Sequence, residues 1–306
     1  KILDIIFCYL DLLNNHEKTL LKNLVNKEKD LVFNLRKSYL KLLDSGKNSV
    51  IISKKKDRLI SKDLKKVLFI AADTMRSRCY AQNLQKYGFT ISNSILITSE
   101  SNSIKLGKTL KAPPYSNNYI SGVFNADLSI PIEKSLKNLS KEIKTISSGT
   151  INCKIVEDYI IQQNPNLIIY SGFGGEIVSS QLIKIGVPFL HLHAGFLPTF
   201  RGSTTIYYSL LKTAKCGVSA IILSSNIDEG NIIATKYYDP PDCICNLDYE
   251  YDSAIRSNLL IEVLNKYYRN NYKLSSVSQE NDIGETYYVI HPLLKHLTLI
   301  PLNIMQ

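Results

Sequence analysis

Nowhere in the 306 residues does an uninterrupted apolar run reach the roughly 18 residues that a bilayer-spanning helix needs, so no membrane span is expected. The six cysteines, at 8, 79, 153, 216, 243 and 245, lack the dense spacing of a secreted disulfide framework. That suits a reducing compartment, and cytoplasm is the expected location. Cys243 and Cys245 form an isolated C-x-C, but a structural zinc site takes about four ligands and no second pair follows, so they read as ordinary thiols. Internal repeats are missing as well. Lys1–Leu13 is apolar but carries Asp4 and Asp11 and no small-residue cleavage site, which argues against a signal peptide. The sequence reads as a piece of a longer chain or a processed form.

Hydrophobic residues make up 44% and charged ones 21%, the balance of a soluble globular protein with one large or two modest domains. The net charge of +10 invites a nucleic-acid reading, but it is unevenly spread: residues 1–66 hold 16 Lys and Arg against 8 Asp and Glu, leaving 21 against 19 for residues 67–306. An acidic partner would therefore be met by the N-terminal segment. Apolar residues there recur every three or four positions, as at Leu20, Leu24, Leu31 and Leu35, the stripe of amphipathic helices. Residues 1–62 are accordingly expected to be a basic helical extension, a solvated appendage or the tail of a preceding domain in preference to a nucleic-acid- or membrane-binding surface, and homo-oligomers could form through its helices.

A different pattern begins near Lys66. Val67–Ala72 is a short, wholly apolar run of the kind buried in a parallel sheet. Further runs at Ser94–Thr98, Leu167–Tyr170 and Phe189–His193 alternate with helical patterns at Ile130–Ile143, Ile151–Gln163 and Glu176–Ile185. Strands separated by helices imply βαβ units, hence an α/β, Rossmann-like parallel sheet over residues 63–240. Ile221–Leu223 and Ile232–Tyr238 add strand candidates around a turn, and residues 241–306 hold a helix over Asp252–Tyr268 and an apolar tail.

Open parallel sheets bind ligands at the carboxyl ends of their strands. Three such edges carry suggestive chemistry: Asp73–Arg78, Ser171–Gly175 and His191–Gly195. Alternation along a strand puts His191 and His193 on one face, about 6.6 Å apart at Cα. Such a pair could be structural, or could bind zinc with further ligands, but the other histidines, His16, His291 and His296, are distant in sequence. No metal is expected.

The run from Phe189 to Gly202, FLHLHAGFLPTFRG, is followed some 25 residues later by Ile227-Asp228-Glu229-Gly230. Together they resemble the signature of the 10-formyltetrahydrofolate-dependent formyltransferases, Asn-x-His-x-(Ser/Gly)-x-Leu-Pro-x-(Tyr/Phe)-Arg-Gly and then a hydrophobic-Asp-x-Gly segment. The likeness covers residues 150–240 well, 66–100 weakly and the first 60 not at all. It implies a Rossmann-like formyltransferase fold, a formyl donor in 10-formyltetrahydrofolate, and transfer to an amine. His193 matches the family's catalytic histidine and Asp228 the aspartate that orients it, although a loop aspartate can equally serve a local turn. His191 stands where the family has asparagine, whose amide donates to the formyl oxygen; an imidazole N–H can take that part. By the same resemblance Gly172, Phe173, Gly174, Gly175 and Ile177, with Ser224, Ser225 and Asn226, would hold the pteridine; Asp73, Arg76, Gly195 and Arg201 are the candidates to face the acceptor, although Arg76 and Arg78 fit a solvated helix face as well. Arg201 can also be read as packing within its loop.

Methionyl-tRNA members of that family add a sizeable domain that grips tRNA. The residues after 67 offer neither that length nor a basic excess, so nucleic acid is not expected as a partner. A small primary amine is, most naturally on an amino sugar or sugar nucleotide, with tyrosines at 207, 208, 249, 251, 287 and 288 available to stack. Two alternatives stay open: a hydrolase releasing formate from the same donor, and a catalytically inactive folate- or nucleotide-binding protein of the same fold.

Overall fold

The computed structural model describes residues 61–99, 119–241, 245–279 and 284–299. The amphipathic stretch assigned to the N-terminal extension and Cys243 lie outside these residues.

The chain begins with β1 (Lys62–Ala72), and its Val67–Ala72 portion is entirely buried. Period-two alternation sorts these side chains between two cores: Val67, Phe69 and Ala71 pack on one face of the sheet, Leu68, Ile70 and Ala72 on the other. A strand without a solvent face has to lie mid-sheet. Thr74 caps α1 (Met75–Lys86) by accepting from the Ser77 backbone N–H at 3.2 Å, so the chain turns sharply at the carboxyl end of β1. There follow β2 (Phe89–Ile97), α2 (Ile132–Leu139), β3 (Ser140–Ile146), α3 (Lys154–Gln163), β4 (Leu167–Ser171), the single-turn α4 (Ser180–Ile183) and β5 (Phe189–His193). β6 (Phe200–Gly202), α5 (Thr205–Thr213), β7 (Cys216–Ile222) and β8 (Ile232–Tyr238) come next. A π-helical turn (Leu247–Tyr251) leads into α6 (Asp252–Arg269), then β9 (Glu285–Tyr287) and α7 (Pro292–Leu299).

The main sheet has the order β3-β2-β1-β4-β5-β7-β8, parallel from β3 through β5, with β7 antiparallel to both of its neighbours. This is the expected Rossmann-like architecture, with departures in detail. The helix expected over 130–143 stops at Leu139 and becomes β3, because exposed Lys141 and Glu142 allow an edge strand where period-3.6 reading sees only more helix. The expected helix over 176–185 shrinks to four residues. β6 and β9 form a small parallel pair that brings Glu285–Tyr287 beside the strand edge carrying the histidines.

α6 follows its sequence pattern: Ile255, Leu259, Leu260, Val263, Leu264 and Tyr267 form one buried stripe. Asp252 in its first turn and Lys266 and Arg269 in its last suit the helix dipole. The stripe joins Phe69, Leu190 and Leu192 in a single core cluster, so this helix covers the same sheet face as α1. Removing one of these large side chains, as in Leu260→Ala, would cost about 2–5 kcal/mol in transfer and cavity terms. Among the described residues no helix is long and apolar enough to cross a membrane.

Candidate active site

Phe189 packs in one core and Leu190 and Leu192 in the other, so His191 and His193 project from the Phe189 side, as alternation predicts. The pairing of β4 with β5 ends at Tyr170–His191, while Leu192 and His193 remain paired with Ala220 and Ser219 of β7. At the carboxyl edge of the sheet lies a cavity of about 500 Å³, lined by both histidines, Arg76, Phe173, Gly174, Gly175, Glu176, Ile177, Thr205, Asp228, Asp248, Asp252, Arg256 and Tyr287–Val289 among others.

His193 is buried, with 5% of its surface exposed, and it meets an acceptor at each ring nitrogen. Nδ1 lies 3.4 Å from Asp228 Oδ1, and Nε2 lies 2.8 Å from the Phe200 carbonyl. A neutral imidazole has one N–H and satisfies one of the two; an imidazolium satisfies both. Burial lowers the His193 pKa, while Asp228 and the Phe200 carbonyl oppose that shift. The ring thus rests neutral, able to take a proton, with partners arranged for the charged form that results.

The loops holding this arrangement explain the sequence motif. Gly195 lies under the imidazole, where a Cβ would come within 2.6 Å of His193 Nε2 and 2.5 Å of the Phe200 carbonyl. The Leu197–Pro198 peptide is cis. Gly202 donates its backbone N–H to Asp228 Oδ2 at 2.8 Å, which aims the other carboxylate oxygen at the histidine. Asp228 sits at φ 56°, and Gln279 Nε2 clamps its turn by donating to the Asp228 and Gly230 carbonyls, each at 2.7 Å. Gly230 is required for closure, since a Cβ there would stand 1.7 Å from the Ile222 carbonyl oxygen.

His191 is tilted against Tyr170, ring centroids 6.0 Å apart, and its buried Nδ1 has no hydrogen-bond partner. Burial, reinforced by Arg76, Arg256 and His193, holds its pKa well below the usual histidine value, against a smaller opposing contribution from the Tyr170 backbone. His191 is therefore a neutral ring with one nitrogen unclaimed by the protein. Arg76 spans from α1 to the end of β4, donating to the Gly172 carbonyl at 2.5 Å and to Ser171 Oγ at 3.3 Å.

Of the residues expected from sequence, His191, His193, Asp228, Arg76, Phe173, Gly174, Gly175 and Ile177 meet at the cavity. The others stand apart. Gly172 is covered by the Tyr170 hydroxyl, and Asp73 pairs with Arg78 at 2.9 Å. Gly195 makes room for the imidazole, and buried Arg201 reaches Gln279 Oε1 at 3.4 Å. Ser224 and Asn226 bond within their own turn, and neither they nor Ser225 line the cavity. Sequence reasoning passed over Asp252, Arg256 and Asp248, which come from the segment after 241. Their one visible signal is a charged i, i+4 pair, Asp252 and Arg256, at the start of an otherwise apolar helical stripe. Among the described residues no cluster of three or more His, Cys, Asp or Glu could hold a metal ion.

At the carboxyl edge of the sheet a buried histidine–carboxylate pair thus lies beside a second buried histidine with an unpartnered ring nitrogen, an arrangement chemically able to accept and hold a proton. Comparison with known proteins finds a family likeness: residues 132–239 match the model described as formyl transferase. Two curated relatives are methionyl-tRNA formyltransferases. That of Finegoldia magna is 33% identical over 93 residues, covering 30% of each chain. That of Sulfurovum sp. is 33% identical over 101 residues, covering 32% of this chain and 33% of the relative. The matched segments thus span about a third of those relatives' length. Among solved structures, a sugar N-formyltransferase from a Shewanella species superposes with a TM-score of 0.48 at 17% identity, covering 77% of this chain and 87% of that one.

Proposed function

We propose that the chain transfers a formyl group from 10-formyltetrahydrofolate to the primary amine of a small acceptor, an amino sugar or sugar nucleotide. The observation that carries this reading is His193, buried at the head of a 500 Å³ cavity and backed by Asp228 at 3.4 Å. Attack of an amine on a formyl carbon creates a cationic nitrogen that must lose a proton and an oxyanion that must be stabilised. In this reading His193 takes the proton, Asp228 and the Phe200 carbonyl stabilise the imidazolium, and His191 offers the N–H that the family's asparagine supplies. The donor's flat ring suits the rim formed by Phe173, Ile177, Ile227, Tyr288 and Val289, four of which are exposed apolar side chains. Residues Phe173–Gly175 line that wall. A smaller recess of about 130 Å³ continues past Arg76 and Asp252, walled by Thr74, Asp248, Tyr249 and Ser253, and these groups suit the hydroxyls of a sugar.

The test is to incubate the protein with the formyl donor and a panel of amino sugars, sugar nucleotides and aminoacyl-tRNA, following N-formyl product and free formate by mass spectrometry. Formylated sugar amine is the expected product. Formate released at the same rate with or without any amine would make the protein a hydrolase. Donor binding with no turnover, and no change in His193→Ala, would leave a binding protein. Formylated tRNA alone would move the acceptor to the class carried by the curated relatives.

A further inference from the structure

Arg256 lies, largely covered, beside the two catalytic candidates and belongs to no part of the family signature. It rises from the first turns of α6, the helix that covers the sheet face opposite the histidines, and reaches the carboxyl edge of the sheet. There Nη1 donates to the Leu192 carbonyl at 2.9 Å, while Nε donates to Asp252 Oδ1 at 2.9 Å. Leu192 is the residue between His191 and His193, and it lies one position past the last β4–β5 pairing. The guanidinium therefore stands at the carboxyl end of β5, past its last pairing with β4. Asp252, one helical turn back, fixes the guanidinium plane, and the two side chains are 12% and 11% exposed.

We propose that Arg256, clamped by Asp252, is the positioning residue of the histidine pair: it anchors the carboxyl end of β5 and holds a fixed positive charge beside both imidazoles. The groups facing His193 are Asp228 and the Phe200 carbonyl from the loops, Arg256 and Asp252 from α6, and His191 from its own strand. Those facing His191 are Arg76 from α1, Arg256, His193, and Tyr170 from β4. Arg256 is the cation common to both sets. Its charge disfavours protonation of each ring, and Asp252 moderates that effect at His193. A neutral His193 can accept a proton and a neutral His191 can present a single N–H, so one ion pair keeps both rings in the form the reaction uses. Arg256 itself stays charged: burial opposes its charge, but Asp252, Tyr80 and Asp228 together more than offset that cost.

The rate consequence rests on the formyl-transfer reading, but the charge consequence does not, so the primary measurement is an NMR titration of the imidazole resonances in the full chain. Arg256→Gln, which keeps a donor but loses the charge, should raise the midpoints of His191 and His193 by about one pH unit. Arg256→Lys should leave both midpoints near wild type. Asp252→Asn removes the opposing charge without touching the guanidinium, and should lower the His193 midpoint. In formyl-transfer assays the acid limb of the Arg256→Gln rate profile should move up with the His193 midpoint, kcat falling several-fold while the donor KM holds. Unchanged midpoints in a folded Arg256→Gln would overturn the proposal. If that variant does not fold, an Asp252→Asn midpoint at or above wild type does the same. Shifted midpoints in a protein that transfers no formyl group would sink the functional reading alone.

Discussion

Replacing Asp228 by asparagine isolates the carboxylate behind His193. Asparagine tolerates the left-handed backbone at this position, where φ is 56°, and its carbonyl can still accept the Gly202 N–H now bonded to Oδ2 at 2.8 Å. The amide NH₂ would then face His193 Nδ1, forcing the ring's proton to the other nitrogen. At the observed 3.4 Å, an imidazolium and a carboxylate attract by about 5 kcal/mol if the effective dielectric is about 20. The Phe200 carbonyl retains part of the stabilisation, so roughly 3–4 kcal/mol should be lost from the proton-transfer transition state, or about 10²- to 10³-fold in kcat. The donor KM should change little, because the apolar rim is untouched. Steady-state kinetics across pH, with a thermal melt as a control on folding, make the measurement. A folded variant with kcat within about threefold of wild type would refute the view that Asp228 stabilises the protonated ring.

Three further outcomes are expected. His191→Asn should keep or improve kcat, whereas His191→Phe, which removes the donor, should lower it about 10²-fold; equal rates for the two variants would remove His191 from oxyanion stabilisation. Both histidines have folded-state pKa values below the ordinary 6.5, so the unfolded chain binds the protons first as pH drops. Stability should thus be full above about pH 6.5 and decline below it, read as the urea midpoint, and a flat profile between about pH 7 and about pH 5 would contradict neutral burial. Gly230→Ala places a methyl 1.7 Å from the Ile222 carbonyl and should cost about 1–3 kcal/mol as the β7–β8 turn shifts, where an unchanged melting temperature would show that the loop is free to move.

Much of the centre of this protein could be read before any coordinates. Val67–Ala72 and Phe189–His193 are short apolar runs bounded by turn residues, and strand alternation alone puts the two histidines on one face. The spacing of Gly195, Gly202, Asp228 and Gly230 likewise reflects local demands: room for an imidazole, a backbone donor to a carboxylate, and a turn closed against β7. The first and last are constraints within a few residues of chain or across one hairpin, and the Gly202–Asp228 bond spans only 26 residues, so all three leave patterns at short spacing in the sequence.

What could not be read depends on distance. No local pattern says that residues as far apart as Arg76, Asp228 and Tyr288 meet around the carboxyl end of β5 to line the cavity. Nor does one say that Arg256, 64 residues beyond Leu192, bonds its carbonyl, or that Gln279 clamps the turn of Asp228. An i, i+4 pair such as Asp252 and Arg256 is commonplace on solvated helices. It matters here because packing of the Ile255–Tyr267 stripe against Leu190 and Leu192 carries its charges to the carboxyl edge of the sheet. The sequence therefore determined the strand, the histidines and their carboxylate. Tertiary packing decided the cavity and the charge around it, because burial and long-range contact have no period along the chain.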